Sequence, residues 1–474
     1  MNQEIRVNRL SRLFTAVALL VIGTGLCKAH AVPRPEGLKL IGQMIARYNM
    51  VAIAKSLDDE TYKGEAGILR VSPETGRALG LRVRITKDYR LAIRLLSEAD
   101  EIHEQIVKEL KQTKPGGLDT DKVNRLVDLC ISYKSKKARA AELLAAYYQD
   151  LNGDNDERLD QDICKPVLEK ELFRSLERYG FRIRDSLADF FNRTYVGESY
   201  DPPLRPENVD FVNSIFNEFV KSASREIKRE YDLDSFLLEK DSVKPLVWKM
   251  IFPPRLRTYA EIVERLFFQS NNVHYKVHPV LFMALMRRES NFDPVAVSQV
   301  GAVGLTQIMP STAKQLGMQS VYDPSYFREA GEYLRRARQW RAKALALIEE
   351  IEKDRGQEKI RRAWSYMQKS ISFAKKSQAL FSKYEKELLN HGADDRLDVE
   401  KAIRHGYRYF MKMLNRFGGD ISLALAAYNA GPGRVKKYGG IPPFPETVSF
   451  RNAVLGYYRE YLSRLSIDPL SYGN

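Results

Sequence analysis

The stretch that decides the fold is residues 278–310, HPVLFMALMRRESNFDPVAVSQVGAVGLTQIMP. It predicts a helix, then a loop punctuated by glycines, then the start of a second helix. Pro279 suits the first helical turn because its missing N–H would be unpaired there. Asn291 and the Asp-Pro pair that follows it then end the helix. Within the helix, three apolar residues share a face with Glu289 at helical spacing: Phe282, Leu285 and Met286.

This placement gives Glu289 the surroundings of a general acid. Burial beside apolar groups and the negative end of a helix dipole both disfavour the ionised carboxylate. A glutamic acid that stays protonated near neutral pH is what a general acid requires. Taken alone, a Glu at the end of an amphipathic helix is more often a solvated or capping residue. The rest of the chain therefore has to decide between the two interpretations.

Length and charge limit the class of protein. A chain of 474 residues predicts two or three domains, and 44% hydrophobic and 29% charged residues are typical of a folded soluble protein. The formal net charge of +15 suits an anionic partner such as nucleic acid, an acidic membrane surface or an anionic cell-wall polymer. The charge alone does not choose among these partners.

Residues 1–31 predict an export signal. A basic start is followed by an apolar run over residues 13–26, which has signal-peptide length and is short for a membrane span. Ala29-His30-Ala31 then offers a small-x-small cleavage site, with Val32 as the first mature residue. We therefore expect a periplasmic or cell-envelope protein, with a membrane-anchored form as the alternative. Export also argues against a nucleic-acid partner.

Residues 32–252 form a predicted helical N-terminal region in which we identify no catalytic motif. The sequence shows no repeat at a fixed period, so a structural or partner-binding role is expected for this region. A Phe-Pro-Pro turn at residues 252–254 predicts a domain boundary, and residues 253–465 form the second predicted domain.

One acidic segment of the N-terminal region has the alternation of an EF-hand calcium loop. Its four candidate ligands are Asp150, Asn152, Asp154 and Asp156. Asn155 stands where that loop has its glycine, and Gln161 stands where a bidentate Glu is expected. A solvated acidic turn is therefore the favoured interpretation, and calcium binding is the weaker one.

The mature chain keeps two cysteines, Cys130 and Cys164. In an oxidising compartment they permit a single disulfide pairing. Two free buried thiols are an equally good interpretation.

Three separated segments carry the strongest signal: RRESNFDPVAVSQVGAVGLTQIMPSTA (287–313), LALAAYNAGPGRV (423–435) and GGIPPFPET (439–447). Together they resemble the catalytic domain of the soluble lytic transglycosylases, a lysozyme-like family that cleaves peptidoglycan. Residues 325–396 lie between the first two segments and predict an insertion of two long antiparallel helices. The resemblance implies a mainly α protein, with a helical N-terminal region before a lysozyme-like catalytic domain that contains this hairpin.

The resemblance also implies roles for individual residues. Glu289 would be the catalytic acid/base, and Ser290 its neighbour in the substrate groove. Five further residues would contact the glycan: Gln307, Met309, Tyr428, Asn429 and Glu446. Thr306 stands where the family usually has methionine, which we expect to alter a subsite wall. No cofactor is implied.

The expected reaction uses one carboxyl group. Most glycosidases need two, but Asp293 precedes a proline and is expected to serve a turn. By resemblance, Glu289 would protonate the bond between N-acetylmuramic acid and N-acetylglucosamine and then act as a base, giving a 1,6-anhydromuramic product. A hydrolytic muramidase of the same fold and a non-catalytic glycan-binding scaffold are the alternatives. Besides glycan strands, an envelope protein is a further expected partner, bound through the N-terminal region or residues 325–396.

Overall fold

The computed structural model describes residues 35–56, 64–114, 117–197, 201–231, 248–270, 273–352 and 355–466. Secondary structure in these ranges is helical apart from three isolated β-bridges, which confirms the prediction of a mainly α protein. None of the described helices is long and apolar enough to cross a membrane. The predicted export signal, residues 1–31, lies outside the described residues.

The N-terminal half contains eight α-helices in the described ranges. They are α1 (Pro35–Ser56), α2 (Pro73–Ala78), α3 (Lys87–Gln112), α4 (Thr120–Asp150), α5 (Gln161–Arg178), α6 (Ile183–Phe191), α7 (Val209–Ser222) and α8 (Arg225–Glu230).

The described part of the C-terminal half contains nine α-helices. They are α9 (Pro254–Gln269), α10 (Pro279–Ser290), α11 (Pro310–Gln315), α12 (Tyr326–Glu349), α13 (Gly356–His391), α14 (Val399–Arg416), α15 (Ile421–Ala430), α16 (Pro432–Lys437) and α17 (Pro445–Ser466).

One hydrophobic core runs through both halves. Helices α1, α5, α6 and α7 supply buried residues such as Met44 and Phe211, and they pack in the same cluster as Phe282 of α10 and Tyr458 of α17. The boundary expected at residue 252 is therefore not a gap between two cores. Burial of this shared apolar surface is the main stabilising contribution to the joint between the halves.

Buried ion pairs reinforce that joint. Asp185 of α6 accepts hydrogen bonds from Arg451 of α17 at 2.8 Å and from Arg459 at 3.1 Å. Arg184 forms a bidentate pair with Asp420, at 2.6 and 3.1 Å. Burial by itself would raise the pKa of Asp185, but the arginines beside it hold that pKa well below its usual range. Removing one partner of such a pair leaves a buried charge uncompensated.

Helices α12 and α13 form the predicted antiparallel hairpin, which confirms that interpretation of residues 325–396. Small residues repeat every seven positions along the contact, so the two backbones approach closely. Ser370 and Ser377 donate to the carbonyls of Ala337 and Ala330, each at 2.8 Å. The second helix ends at Gly392, whose φ of +66° favours glycine.

The hairpin does not end in solvent, because its tip packs on the hairpin formed by α3 and α4. A second hydrophobic cluster joins Leu347 and Ile360 of one hairpin to Leu110 and Leu126 of the other. This interface also buries Cys130, whereas Cys164 lies in the main core, and both thiols are free. The tip of the insertion therefore has its partner within the same chain.

Candidate active site

Glu289 lies in the last turn of α10. Every residue of this helix from Pro279 to Met286 is buried, so the helix places the carboxyl group at the edge of the core. Asn291 ends the helix in a left-handed conformation with φ of +50°, and its N–H donates to the carbonyl of Arg287 at 3.0 Å. The sequence prediction for this helix and for its end is confirmed.

The loop after α10 folds back over the acid. An antiparallel bridge joins Val303 to Ile308, and Gly304 donates to the carbonyl of Ala296 at 2.8 Å. Gly304 has φ of +78°, and a Cβ there would lie 1.9 Å from the carbonyl oxygen of Arg396. Glycine is therefore required at this position by both conformation and space.

An open cavity of about 440 Å³ lies beside the acid. Three of the residues predicted to act at the site line it: Glu289, Ser290 and Gln307. The rest of its lining is Arg287, Arg288, Asn291, Ala296, Val297, Ser298 and Tyr457. The volume and the polar lining suit a sugar ring with hydroxyl and amide groups.

The electrostatics at Glu289 favour the protonated form. Its side chain keeps part of its surface accessible to the cavity, yet protein atoms surround the carboxyl group. Burial raises the pKa of Glu289 to about 8, the charge of Arg288 acts in the opposite direction, and the charge of Glu446 raises it further. A carboxylic acid with this pKa can donate a proton at neutral pH.

Gln307 and Ser290 hold the loop as well as lining the cavity. The Gln307 amide donates to the carbonyls of Ala296 and Gly304, at 3.1 and 2.9 Å. The Ser290 hydroxyl donates to the carbonyl of Leu305 at 3.0 Å. These contacts fix the loop against the end of α10, so both side chains position the wall of the cavity.

Tyr428 stands close to the acid without donating to it. Its hydroxyl donates to the carbonyl of Thr306 at 2.8 Å. Burial and the nearby charge of Glu289 hold the pKa of Tyr428 well above its usual value. Its ring is parallel to that of Phe450, with the centroids 6.4 Å apart. Tyr428 therefore lies near the acid and holds the loop at Thr306, outside the lining of the cavity.

The remaining predicted residues lie outside the lining of this cavity. Asn429 accepts a hydrogen bond from Thr447 at 2.8 Å. Glu446 is exposed at the start of α17, near enough for its charge to affect Glu289. Met309 is half-buried immediately before α11.

Two expectations about neighbouring residues have different outcomes. Thr306 does not form a subsite wall, because it is fully buried, donates to the carbonyl of Ala402 at 3.1 Å and packs against Gly406. Asp293 accepts from the N–H of Val295 at 3.0 Å, which confirms its role in a turn.

Sequence reasoning missed the two arginines before the acid. Arg287 lies over the ring of Tyr457, 3.9 Å from its centroid, and forms an ion pair with Glu460 at 2.9 Å. Arg288 lies near the Phe450 ring and lowers the pKa of Glu289. The adjacent cations in the last turn of a helix were a usable signal, since cations are favoured there.

The acidic segment at residues 150–156 is not arranged as a calcium loop. Asp156 is fully buried in an ion pair with Arg158 at 2.8 Å, and Asp150 pairs with Arg84. Asn152 accepts from the N–H groups of Asp154 and Asn155, as in a turn. Within the described ranges, no group of three or more His, Cys, Asp or Glu side chains is placed to hold a metal ion. The turn accounts for these contacts, although Asp156 is buried rather than solvated.

Comparison with known proteins gives local sequence matches and weak overall structural ones. The chain is 43% identical over 54 residues to the transglycosylase of Enterobacteria phage PRD1, a match of 11% of this chain and 20% of that protein. The chain thus matches about a fifth of the length of this curated relative.

Two solved structures are similar at TM-scores of 0.26, too low to establish a shared arrangement. One is the 70 kDa soluble lytic transglycosylase SLT70 from Escherichia coli, with 17% identity over 83% of this chain and 66% of that one. The other is an inactive mutant of the lytic transglycosylase Slt from Pseudomonas aeruginosa, with 19% identity over 82% of this chain and 59% of that one.

The family comparison is more specific. Residues 267–334 and 376–447 match the model of the transglycosylase SLT domain. These ranges contain Glu289, the loop after it and all the other residues predicted for the site. The unmatched residues between them are the distal part of the α12–α13 hairpin. The chain therefore contains a transglycosylase SLT domain, which includes Glu289 and is divided by an inserted helical hairpin.

Proposed function

We propose that the protein is a peptidoglycan lytic transglycosylase with Glu289 as its single acid/base. The observation that carries this proposal is a carboxyl group with a pKa of about 8 beside an open cavity, inside the SLT domain. The substrate is the β-1,4 bond between N-acetylmuramic acid and N-acetylglucosamine. Localisation in the periplasm or envelope follows from this substrate and from the export signal predicted at residues 1–31.

In the first step Glu289 donates its proton to the glycosidic oxygen while the bond from that oxygen to muramic C1 breaks. The acetamido group of the substrate stabilises the positive charge at C1, as in substrate-assisted glycosidases. Glu446 is exposed and Asp293 is held in a turn. Neither takes the place of the acetamido group in stabilising the charge at C1. Glu289 is therefore the one protein carboxyl group that the reaction needs.

In the second step Glu289, now a carboxylate, takes the proton from the muramic C6 hydroxyl. The C6 oxygen forms a bond to C1, which gives the 1,6-anhydro product and returns the proton to Glu289. Water is not consumed. The charge of Arg288 stabilises the carboxylate between the two steps, and Ser290 and Gln307 position the sugar in the cavity beside it. Met309, Tyr428, Asn429 and Glu446, outside that cavity, contact the neighbouring sugars of the strand.

The α12–α13 hairpin supplies a surface for anionic partners. Between Glu332 and Glu349, and again between Glu358 and Glu385, every charged residue is Lys or Arg. Four of these cations, Arg336, Lys343, Lys369 and Lys376, line a shallow cavity of about 530 Å³. Lys343 and Lys369 both lie over the Trp340 ring. The carboxylates of peptide stems on the glycan are suitable ligands for such a surface.

Digestion of purified peptidoglycan sacculi tests the reaction. The products are separated and weighed by mass spectrometry, and 1,6-anhydromuramic ends are the expected result. Reducing muramic ends without anhydro products would show the hydrolytic muramidase instead. Absence of any release by the wild-type protein would favour the non-catalytic scaffold.

A further inference from the structure

The loop that covers Glu289 has a counterpart in the N-terminal half. Residues 64–80, GEAGILRVSPETGRALG, repeat the glycine and proline spacing of residues 301–317, GAVGLTQIMPSTAKQLG. Both loops contain an isolated antiparallel bridge, Ala66 to Val71 in one and Val303 to Ile308 in the other. Even the non-glycine position with positive φ is shared, since Arg70 has φ of +49° and Gln307 +47°.

The same buried anchor holds each loop. In one half Arg158 pairs with Asp156 and donates to the Tyr147 hydroxyl, and in the other Arg396 pairs with Asp394 and donates to the Tyr384 hydroxyl. In both, the arginine carbonyl presses on the second glycine of the loop. A Cβ there would lie 1.6 Å from that oxygen at Gly67 and 1.9 Å at Gly304.

The order of elements also repeats. Each half runs through a core helix, the loop, a short helix, an inserted hairpin, the Asp-Arg anchor and three further core helices, which are α5, α6 and α7 in one half and α14, α15 and α17 in the other. A Pro-Glu pair marks the start of the last of these helices in both halves: residues 206–207 lie just before α7, and residues 445–446 are the first two residues of α17. The search for a repeat at a fixed period did not detect this correspondence, which occurs once and is interrupted by a hairpin in each half.

This correspondence identifies the residue of the N-terminal half that is equivalent to Glu289. Ser290 donates to the carbonyl of Leu305, the residue after the second glycine of its loop. Asn49 donates at 2.7 Å to the carbonyl of Ile68, the residue after the second glycine of the other loop. Asn49 therefore corresponds to Ser290. The residue before Asn49 is Tyr48. The N-terminal half thus has no carboxyl group where Glu289 stands.

Aromatic rings surround Tyr48, whereas an open cavity lies beside Glu289. Its ring lies 5.3 Å from that of Phe211, and Tyr195 packs on Phe191 at 4.4 Å and on Phe211 at 5.6 Å. The Arg70 guanidinium lies 5.7 Å from the Tyr195 ring centroid.

Part of this aromatic cluster reaches the surface. Tyr48, Arg70, Phe191 and Tyr195 are half-buried, whereas Phe211 is fully buried. Met50 and Val196, beside the cluster in sequence, are 47% and 50% exposed. The outer rings and this apolar rim form an accessible surface with a cation at its edge.

We propose that residues 35–222 are a second copy of the catalytic fold that binds glycan without cleaving it. Sugar rings pack their apolar faces on Tyr48, Phe191 and Tyr195, and Arg70 binds a carboxylate of the muramic lactyl group or of the peptide stem. The ligand class rests on the proposed function of the C-terminal half. A strand held at this surface raises the local concentration of substrate at Glu289.

Binding of the full-length Glu289→Gln protein to insoluble sacculi tests the proposal by co-sedimentation. Adding Tyr48→Ala should weaken the apparent affinity about fivefold or more, and Tyr48→Phe should retain it. Arg70→Gln, which introduces the residue of the other half, should weaken binding about threefold and reduce its dependence on salt. The matched control is Phe268→Ala, which removes an aromatic ring that is 43% exposed on α9.

The outcomes separate this proposal from the proposed function. Unchanged sacculus binding by Tyr48→Ala and Arg70→Gln overturns the second site. A lower melting temperature of Tyr48→Ala with unchanged binding overturns it as well. If Tyr48→Ala fails to fold, Arg70→Gln alone decides. If wild-type protein releases no anhydro products while both variants still lose binding, the second site stands and the proposed reaction fails.

Discussion

The two loops that follow α1 and α10 have the same backbone conformation but lie over different side chains. Both place a glycine against an arginine carbonyl and both end in a short helix that begins with proline. One covers Glu289 and an open cavity, whereas the other covers Tyr48 and a cluster of rings. The same loop conformation therefore forms with a carboxyl group or with a phenol on the preceding helix, so the chemistry of each site depends on a few side chains placed on it.

The largest expected effect comes from the residue that distinguishes the two sites. Glu289→Gln should lower the rate of release from sacculi at least 10²–10⁴-fold, about what a positioned general acid contributes. Phe268→Ala, which removes an exposed ring on α9 outside both sites, should leave the rate unchanged. Release is measured by muropeptide chromatography. Residual activity of Glu289→Gln within tenfold of wild type would place the acid elsewhere.

Stability should respond equally in the two halves, while activity should not. Asp156→Ala and Asp394→Ala each leave a buried arginine without its carboxylate, so each should lower the free energy of unfolding by about 3–5 kcal/mol. Only Asp394→Ala should also lower the rate of the folded fraction, because Arg396 supports the loop over Glu289. Denaturant unfolding measures the stability of both variants. Their rates are measured at denaturant concentrations well below the unfolding transition. Equal loss of rate in the two variants would contradict the assignment of one active loop.

The pH dependence should follow Glu289. Below about pH 4.5 the carboxyl group is protonated in both states. Between about 4.5 and 8 only the unfolded state ionises, so rising pH lowers stability until the folded group ionises as well. Glu289→Gln should remove this loss and raise the free energy of unfolding by about 2–4 kcal/mol at pH 8. This is less than the full pKa shift would give, because the cavity is open to solvent.

The same titration should limit the reaction. Activity should fall as pH rises through about 8, because the proton donor is lost. Melting curves of both proteins from pH 4 to 9, together with rates, check the two effects. A stability difference that does not change with pH would contradict the raised pKa.

A smaller effect should follow from making the active site resemble its counterpart. Phe190 of α6 stands where α15 has Tyr428, by the alignment of the two helices. Tyr428→Phe removes the hydrogen bond to the carbonyl of Thr306, so it should lower the rate about threefold to tenfold, since a hydrogen bond contributes about 0.5–1.5 kcal/mol. Steady-state rates on a soluble glycan measure the change. A fall as large as that of Glu289→Gln would give the hydroxyl a direct role in proton transfer.

The smallest effect should come from the hairpins. Reversing Lys343 and Lys369 to Glu should weaken salt-dependent binding to sacculi by about twofold to threefold, as screened surface charges contribute little. The matched reversal of Arg90 and Lys108 on the other hairpin should have no effect. Co-sedimentation at low and high salt separates the two. Equal effects of both reversals would mean that net charge alone governs the binding.

Local sequence signals predicted the active half well. The helix of Glu289, its end at Asn291 and the hairpin that ends at Gly392 were all predicted, because each rests on periodicity, proline or glycine within a few residues. The role of Thr306 was not predictable in the same way. Its burial depends on Gly406, which lies a hundred residues further along the chain.

The correspondence between the two loops was missed for a related reason. The two loops share residues only where the backbone demands them, at glycine and proline, and the other side chains pack against different neighbours. An inserted hairpin in each half also lengthens the repeat far beyond the 20–50 residues that mark solenoids and arrays. The shared core and the ion pairs of Asp185 join partners more than two hundred residues apart, which no local pattern indicates.

Digestion of sacculi in water enriched in oxygen-18 identifies the nucleophile. We expect anhydromuramic products that carry no heavy oxygen, because the C6 hydroxyl of the substrate closes on C1. Products with reducing ends and one heavy oxygen each would show that water is the nucleophile and would contradict the single-acid transfer at Glu289.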